Sequence, residues 1–116
     1  MQMNVETRGT IVVARVDQPQ LGADSADEFK SRILGELPNE GGQIAVDLSR
    51  VEFMDSSGLG AMVSLLKAVR PAGDLALFGM KSSVQEILRL THLDAVFSCH
   101  RDEETALAKL GKAETV

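Results

Sequence analysis

Two short apolar runs with the spacing of β-strands open the chain. Met3–Thr7 and Thr10–Val16 are predicted to be strands, and Arg8 and Gly9 lie between them. This dipeptide suits a hairpin turn, because glycine adopts positive φ angles without steric cost. The sequence therefore predicts an amino-terminal β-hairpin.

Farther along, apolar residues recur every three or four positions in four segments, which is typical of amphipathic helices. The first segment begins at Ala26 and is expected to end before Pro38. Ser82 or Ser83 is expected to cap the third helix. Acidic residues at 102–104 favour the start of the fourth, where the helix dipole is positive. The four apolar faces consist of Ala26, Phe29, Ile33 and Leu37; of Leu59, Met62, Val63, Leu66 and Val69; of Val84, Ile87 and Leu88; and of Ala106, Leu107 and Leu110.

Shorter apolar runs alternate with these helices and are predicted to be strands, at Gln43–Leu48, Leu75–Phe78 and Ala95–Ser98. Strands that alternate with amphipathic helices imply right-handed crossovers and a mostly parallel sheet covered by helices. The predicted fold class is α/β, in the order β-β-α-β-α-β-α-(β)-α. We expect one domain over residues 1–116, with a frayed tail at residues 112–116.

Composition narrows the classes of function. Hydrophobic residues make up 44% of the chain, yet there is no Trp or Tyr and there are only four Phe. The core is therefore expected to be mainly aliphatic, and aromatic platforms for base stacking are not expected. The net charge of -5 argues against nucleic-acid binding, which depends on clustered basic residues. A protein partner fits this composition better.

Cysteine content and hydropathy indicate the cellular compartment of the protein. Cys99 is the only cysteine and cannot form an internal disulfide, which fits a reducing compartment. The amino terminus lacks the features of a signal peptide, and no apolar stretch approaches the roughly 18 residues of a membrane span. We therefore expect a cytoplasmic protein that does not enter a membrane.

The most informative segment is VEFMDSSGLG at residues 51–60, where a connection leads into the second helix. It places the carboxylate of Asp55 and the hydroxyls of Ser56 and Ser57 at a predicted strand-to-helix junction. The free N–H groups and the positive dipole end of a helix suit a capping side chain there and tolerate a phosphate. The simplest interpretation is that one of these residues only caps the helix. A second is that the glycines of the segment leave the serine accessible to a partner or a nucleotide phosphate.

The run FMDSSGLG at residues 53–60, which follows VDLS at residues 46–49, resembles the signature of bacterial anti-sigma factor antagonists within the STAS domain family. The resemblance extends over nearly the whole chain, and this central motif is its most specific part. It implies a single STAS-like domain. It also implies a non-catalytic protein, without a cofactor or a metal, that regulates transcription by partner switching.

By the same resemblance, the serine directly after the motif aspartate is phosphorylated by an anti-sigma factor that is itself a serine kinase. That serine is Ser56, and Ser57 is the runner-up. The unphosphorylated protein would bind the anti-sigma factor and free a sigma factor. Phosphorylation would break this contact, and a serine phosphatase would restore it. An added phosphate acts through repulsion and desolvation at the contact, so little structural change is expected.

One position departs from the family pattern. Many members carry an acidic residue in a Gly-x-Leu-Asp run before the first helix, whereas this chain reads PQLG at residues 19–22. Gly22 thus stands in place of the carboxylate, although Asp24 is close in sequence. If the acid orients the serine or contacts the kinase, its loss changes phosphorylation kinetics or the partner. The predicted partner surface comprises Asp55, Ser56, Ser57, Gly58, Gly22, Asp24, Ser25, Ser64 and Lys67.

Other functions have weaker support in the residues. A serine nucleophile needs an activating base, and the sequence does not place His92 or His100 beside Ser56. The order of residues also lacks a Gly-x-Ser-x-Gly elbow and the spacing of a dinucleotide loop. Cys99 and His100 lack a second pair of metal ligands. The alternative that stays open is a non-catalytic STAS accessory subunit of a transport ATPase or of a stress-sensing scaffold.

Overall fold

The alternating strand and helix patterns of the sequence produce a five-stranded sheet with helices on both faces. A computed structural model describes residues 1–39 and 41–114, with side chains up to residue 111. In chain order, the strands are β1 (Met3–Arg8), β2 (Ile11–Val16), β3 (Gln20–Leu21), β4 (Gln43–Asp47), β5 (Phe53–Met54), β6 (Leu75–Phe78) and β7 (Ser98–His100). The helices are α1 (Ala26–Glu36), α2 (Ser56–Val69), α3 (Ser82–Leu90) and α4 (Glu103–Glu114), with a 3₁₀ turn at Leu93–Ala95.

The main sheet has the strand order β1-β2-β4-β6-β7. β1 and β2 pair antiparallel across Gly9, whose φ of 62° suits glycine, and the other neighbours are parallel. Because the parallel strands advance across the sheet in one direction, right-handed crossovers place α1, α2 and α3 on the same face. α4 covers the opposite face. It runs to Glu114, past the predicted start of the frayed tail at residue 112, and residues 115–116 lie outside the described residues.

Each central strand contributes to two cores, because successive side chains point to opposite faces of a sheet. In β2, Val12 and Ala14 belong to the core beneath α1, α2 and α3, whereas Val13 packs in the core beneath α4. β4 and β6 are likewise buried on both faces. This double burial explains why they appear in the sequence as continuous apolar runs without polar alternation.

Polar contacts attach both ends of α4 to the sheet. Arg15 of β2 forms hydrogen-bonded ion pairs with Glu103 at the start of α4 and with Glu6 of β1. The guanidinium holds the pKa of Glu103 below its ordinary value. Near the other end of α4, the buried side-chain amide of Gln43 donates a hydrogen bond of 2.9 Å to the carbonyl of Leu110. Partly exposed ion pairs contribute little stability, so the main effect of these contacts is to orient α4.

The last strand lies farther along the chain than predicted. The apolar run Ala95–Ser98 predicts a strand, but β7 begins only at Ser98. The N–H groups of Val96 and Phe97 both donate to the carbonyl of Leu93, which commits these residues to a turn. Of this run only Phe97 is buried, whereas Ala95 and Val96 are exposed. Phe97 is therefore apolar because it fills the core and not because it pairs with a neighbouring strand.

Helix α3 begins without a side-chain cap, which corrects the prediction for Ser82 and Ser83. The N-cap residue is Lys81, and both serines lie inside the first turn. Both are exposed. The carbonyl of Lys81 accepts the first N–H groups of the helix, so backbone geometry alone starts α3 at this point.

Two adjacent residues of α1 test the assigned faces of the helix. Ile33 is fully buried and Leu34 is 40% exposed. Ile33→Ala should lower the free energy of unfolding by about 2–5 kcal/mol, because it removes buried apolar contacts and leaves a cavity. The matched control Leu34→Ala should change it by less than about 1 kcal/mol. Urea denaturation followed by circular dichroism measures both values, and similar losses would contradict the orientation of α1.

Candidate functional site

A second, two-stranded sheet positions the start of α2. β3 and β5 pair in parallel, with Leu21 opposite Met54. The carbonyl of Pro19 also accepts the N–H of Glu52 at 2.7 Å. The sequence predicts only a connection at residues 49–53, because two-residue strands show no periodicity. This small sheet draws the segment that precedes α1 against the segment that precedes α2.

Asp55 is the N-cap of α2, and its carboxylate accepts three backbone N–H groups. Oδ1 accepts from Ser57 at 2.9 Å and from Gly58 at 3.1 Å, and Oδ2 accepts from Ala23 at 3.1 Å. These hydrogen bonds, above all the one from the amide of Gly58, hold the pKa of Asp55 below its ordinary value. The carboxylate is therefore ionised at neutral pH. Among the three residues that the sequence offers as caps, the cap is Asp55.

The hydroxyls of Ser56 and Ser57 are left on the outside of the first helical turn. Ser56 is the first residue of α2, and both serines are exposed. Within the described part of the chain, neither hydroxyl forms a hydrogen bond. Because Asp55 performs the capping, both hydroxyls are available for other chemistry.

A row of exposed residues extends from Ser56 along α2. We name it the exposed α2 stripe, and its members follow one another at spacings of three or four residues. The stripe consists of Ser56, Gly60, Ser64 and Lys67. On the other side of the helix, the predicted apolar face lies against the core, with Met62 and Leu66 buried and Leu59 and Val63 half-buried.

Packing within the chain accounts for Gly58. A Cβ at this position would stand 2.2 Å from the carbonyl oxygen of Leu21 at the end of β3. Gly58 is buried, which corrects the predictions that it leaves the serine accessible and that it contacts a partner. Gly60 is exposed, and a Cβ there would meet nothing within 4 Å. Of the two glycines predicted to leave the serine accessible to a partner, only Gly60 lies at the surface.

The loop between β3 and α1 lies beside the Asp55 carboxylate. A cleft of about 290 Å³ between them is lined by Gln18, Gln20, Gly22, Ala23, Asp24, Ser25 and Asp55. Gly22 is half-buried and Asp24 is exposed, as expected for an accessible loop. Ser25 is only 6% exposed, with its hydroxyl directed towards the side-chain amide of Gln18. The prediction of Ser25 as a partner contact is corrected, because too little of its side chain reaches the surface.

Phe53 is a candidate contact residue that the sequence prediction missed. Its side chain is 51% exposed, although Val51 and Met54 nearby are buried. Aromatic residues are enriched among the few residues that dominate binding energy at interfaces. The sequence feature that could have identified this contact residue is a phenylalanine within the motif of a chain that has few aromatic residues. Its exposure depends on the pairing of β5 with β3, which turns Met54 inward.

The histidines and the cysteine lie outside this site. The Nε2 atom of His100 is 2.7 Å from the hydroxyl of Ser98, and burial lowers the pKa of His100. His92 is exposed at the end of α3. Burial raises the pKa of Cys99, which disfavours a reactive thiolate. Among the described residues, no three His, Cys, Asp or Glu side chains are grouped so that they could hold a metal ion.

The chain belongs to the STAS domain family, whose family model matches residues 2–106. A protein of Thermotoga neapolitana that is designated an anti-sigma factor antagonist is 32% identical over 101 residues, covering 85% of this chain and 89% of the relative. The crystal structure of a protein with the same designation from Thermotoga maritima has a TM-score of 0.83 at 27% identity and covers 93% of each chain. The predicted family and fold class are confirmed.

The anti-sigma factor antagonist SpoIIAA shares the fold at lower identity. Its unphosphorylated form matches with a TM-score of 0.77 at 17% identity, covering 96% of this chain and 97% of SpoIIAA. The phosphorylated form from Bacillus matches with a TM-score of 0.67 at 19% identity, covering 93% of this chain and 98% of SpoIIAA.

Within the described residues, no helix has the length and apolar character needed to cross a bilayer.

Two glycines of α2 test the close approach of β3 to this helix. Gly58→Ala should lower the free energy of unfolding by about 1–3 kcal/mol, because its methyl group would collide with the backbone at Leu21. Gly60→Ala is the matched control and should be neutral or stabilising by up to about 1 kcal/mol, since alanine favours the helix. Urea denaturation of both variants decides the point, and equal effects would contradict the packing at Gly58.

Asp55 should make stability depend on pH. Because its pKa is lowered in the folded state, the carboxylate stabilises the fold above the pKa of the unfolded chain, and this contribution is lost as the pH falls through the folded-state pKa. Asp55→Asn retains a capping oxygen but does not titrate. Its free energy of unfolding, measured by urea titration from neutral to acidic pH, should therefore fall less steeply than that of the wild type. Parallel curves would argue against the lowered pKa.

Proposed function

We propose that this chain is an anti-sigma factor antagonist controlled by phosphorylation of Ser56. In its unphosphorylated form it binds an anti-sigma factor that is also a serine kinase, and it thereby frees a sigma factor in the cytoplasm. Phosphorylation ends the contact, and a serine phosphatase restores it. The observation that carries the proposal is the exposed hydroxyl of Ser56, directly after the Asp55 cap, in a chain whose relative is designated an antagonist.

The proposed docking surface surrounds the start of α2. Next to the Ser56 hydroxyl, Gly60 and Ser64 of the exposed α2 stripe carry no bulky side chain, so a partner backbone can approach closely. Phe53 adds an aromatic anchor beside it. The complete surface comprises Asp55, Ser56, Ser57, Gly60, Ser64, Lys67, Gly22, Asp24 and Phe53.

The arrangement of hydrogen bonds suggests how a phosphate would act. The N–H groups of Ser57 and Gly58, which would otherwise attract an anion, are already bonded to the Asp55 carboxylate. A phosphate on Ser56 therefore adds a second anionic group beside an ionised one and projects towards the partner. Its charge of about -1.5 to -2 opposes binding through repulsion and desolvation. The fold itself does not have to change.

In this cycle the chain is the substrate of its kinase and has no catalytic residue of its own. Serine becomes a nucleophile only beside an activating base. The imidazole of His100 pairs with Ser98 on β7 instead. The Asp55 carboxylate is held by three N–H groups and has a lowered pKa, so it is a poor proton acceptor.

Variants of the two serines test the phosphorylation site. Incubated with a purified kinase-type anti-sigma factor and ATP, Ser56→Ala should accept no phosphate yet still bind the partner. Ser57→Ala should still be modified at Ser56. Ser56→Asp should bind about 5- to 150-fold more weakly, the range given by a coupling of about 1–3 kcal/mol. Mass spectrometry locates the phosphate and calorimetry measures the affinities.

Three outcomes would change the proposal. Equal partner affinity of the phosphorylated and unphosphorylated proteins would reject the switch. A phosphate found on Ser57 would move the site by one residue. Constitutive co-purification with a transport ATPase, with no phosphate acceptance, would favour the accessory-subunit alternative.

A further inference from the structure

The position that departs from the family pattern, Gly22, lies in contact with the cap of α2. A Cβ at residue 22 would stand 2.5 Å from Oδ2 of Asp55 and 2.9 Å from its Cγ. A Cβ atom at these distances would force the Asp55 side chain to shift. The carboxylate of Asp55 therefore occupies the space that a side chain at residue 22 would need.

The same carboxylate joins two segments of the chain. Its Oδ1 atom binds the first turn of α2, and its Oδ2 atom binds the N–H of Ala23 at 3.1 Å. On the other side, the carbonyl of Gly22 accepts the N–H groups of Ser25 at 3.0 Å and Ala26 at 2.8 Å, which begin α1. Gly22 and Asp55 together thus connect the starts of α1 and α2.

We propose that Gly22 and Asp55 form a coupled pair that positions Ser56 for its kinase: because residue 22 has no side chain, the Asp55 carboxylate bridges the loop before α1 and the first turn of α2. This inference rests on the proposed function. Asp55 acts here as a positioning residue. An acidic side chain at residue 22 would force the Asp55 carboxylate out of the bridging position, since its Cβ would stand 2.5 Å from Oδ2 and its charge would repel the carboxylate.

The bridge matters for phosphoryl transfer because Ser56 directly follows the bridged residue. If the Asp55 side chain is displaced, the first turn of α2 loses its cap and the loop at Ala23 loses its attachment. The hydroxyl then samples directions in which it does not face the γ-phosphate of ATP. Misplacing a reacting group by about 1 Å can slow a reaction about 100-fold.

Two variants separate the bridge from the cap. Gly22→Ala places a methyl group against the Asp55 carboxylate and should disturb both the bridge to Ala23 and the cap of α2. Asp55→Asn keeps an oxygen for the first turn of α2, but its amide group would face the N–H of Ala23 donor to donor, so only the bridge is lost. The matched control is Gly35→Ala, which adds the same methyl group to exposed α1, where a Cβ meets nothing within 4 Å.

Amide hydrogen exchange of the full chain, followed by NMR, measures the bridge without any kinase. In Gly22→Ala and Asp55→Asn, the N–H of Ala23 should exchange about fivefold faster or more. In Asp55→Asn, the N–H groups of Ser57 and Gly58 should keep their protection. Unchanged exchange at Ala23 in both variants would overturn the bridge.

The rate of Ser56 phosphorylation measures positioning. The kinase-type anti-sigma factors of the source organism, purified and tested singly with ATP, provide the probe. Gly22→Ala and Asp55→Asn should be phosphorylated about 10- to 100-fold more slowly, and Gly35→Ala at the wild-type rate. Loss of the bridge with an unchanged rate would overturn the positioning role.

A double variant distinguishes coupling from a general loss of structure. Serine at residue 55 still caps a helix but is shorter, so it leaves space for a methyl group at residue 22. Gly22→Ala should therefore slow phosphorylation in the wild-type background and have no further effect in Asp55→Ser. Additive effects would overturn the coupling. If no kinase phosphorylates the wild type, the proposed function and the positioning role both fail, while the exchange data still decide whether the bridge exists.

Discussion

Three backbone N–H groups from two separate segments converge on the carboxylate of Asp55, and the geometry of the candidate functional site depends on this convergence. The first turn of any helix has N–H groups without intrahelical partners, which must be satisfied by other groups. Asp55 satisfies two of them in α2 and adds a bond to the loop before α1. Because one ionised side chain performs these tasks, the neighbouring hydroxyl of Ser56 stays exposed and chemically available.

The sheet brings those segments together. β2 and β4 are parallel neighbours, and each is followed by a short extension, β3 or β5, that leads towards a helix on the same face. Pairing of the two extensions brings Leu21 so close to α2 that only glycine fits at residue 58. A mainly aliphatic core on each face of the sheet holds this end of the domain in place.

Internal contacts and surface exposure are divided between adjacent residues of the motif. Asp55 and Gly58 are occupied with contacts inside the chain, whereas Ser56 and the rest of the exposed α2 stripe face outward. A modification of Ser56 can therefore change the charge of the surface without breaking a bond that the fold needs. The chain carries a net charge of -5, so a phosphate on Ser56 would increase an existing negative charge, and its effect on the proposed contact would depend on the charged groups of the partner.

The sequence by itself determined the α/β class, the four helices, the amino-terminal hairpin and the junction that carries Ser56, because each depends on local periodicity or on a contiguous motif. Tertiary structure alone decided that β5 pairs with β3, that β7 begins at Ser98 and that Ser25 is buried. It also decided that Gly58 serves packing and that Gly22 leaves space for the Asp55 carboxylate. These features arise between residues that are far apart in the chain. The residue pattern along one strand or helix does not specify which other segment packs against it.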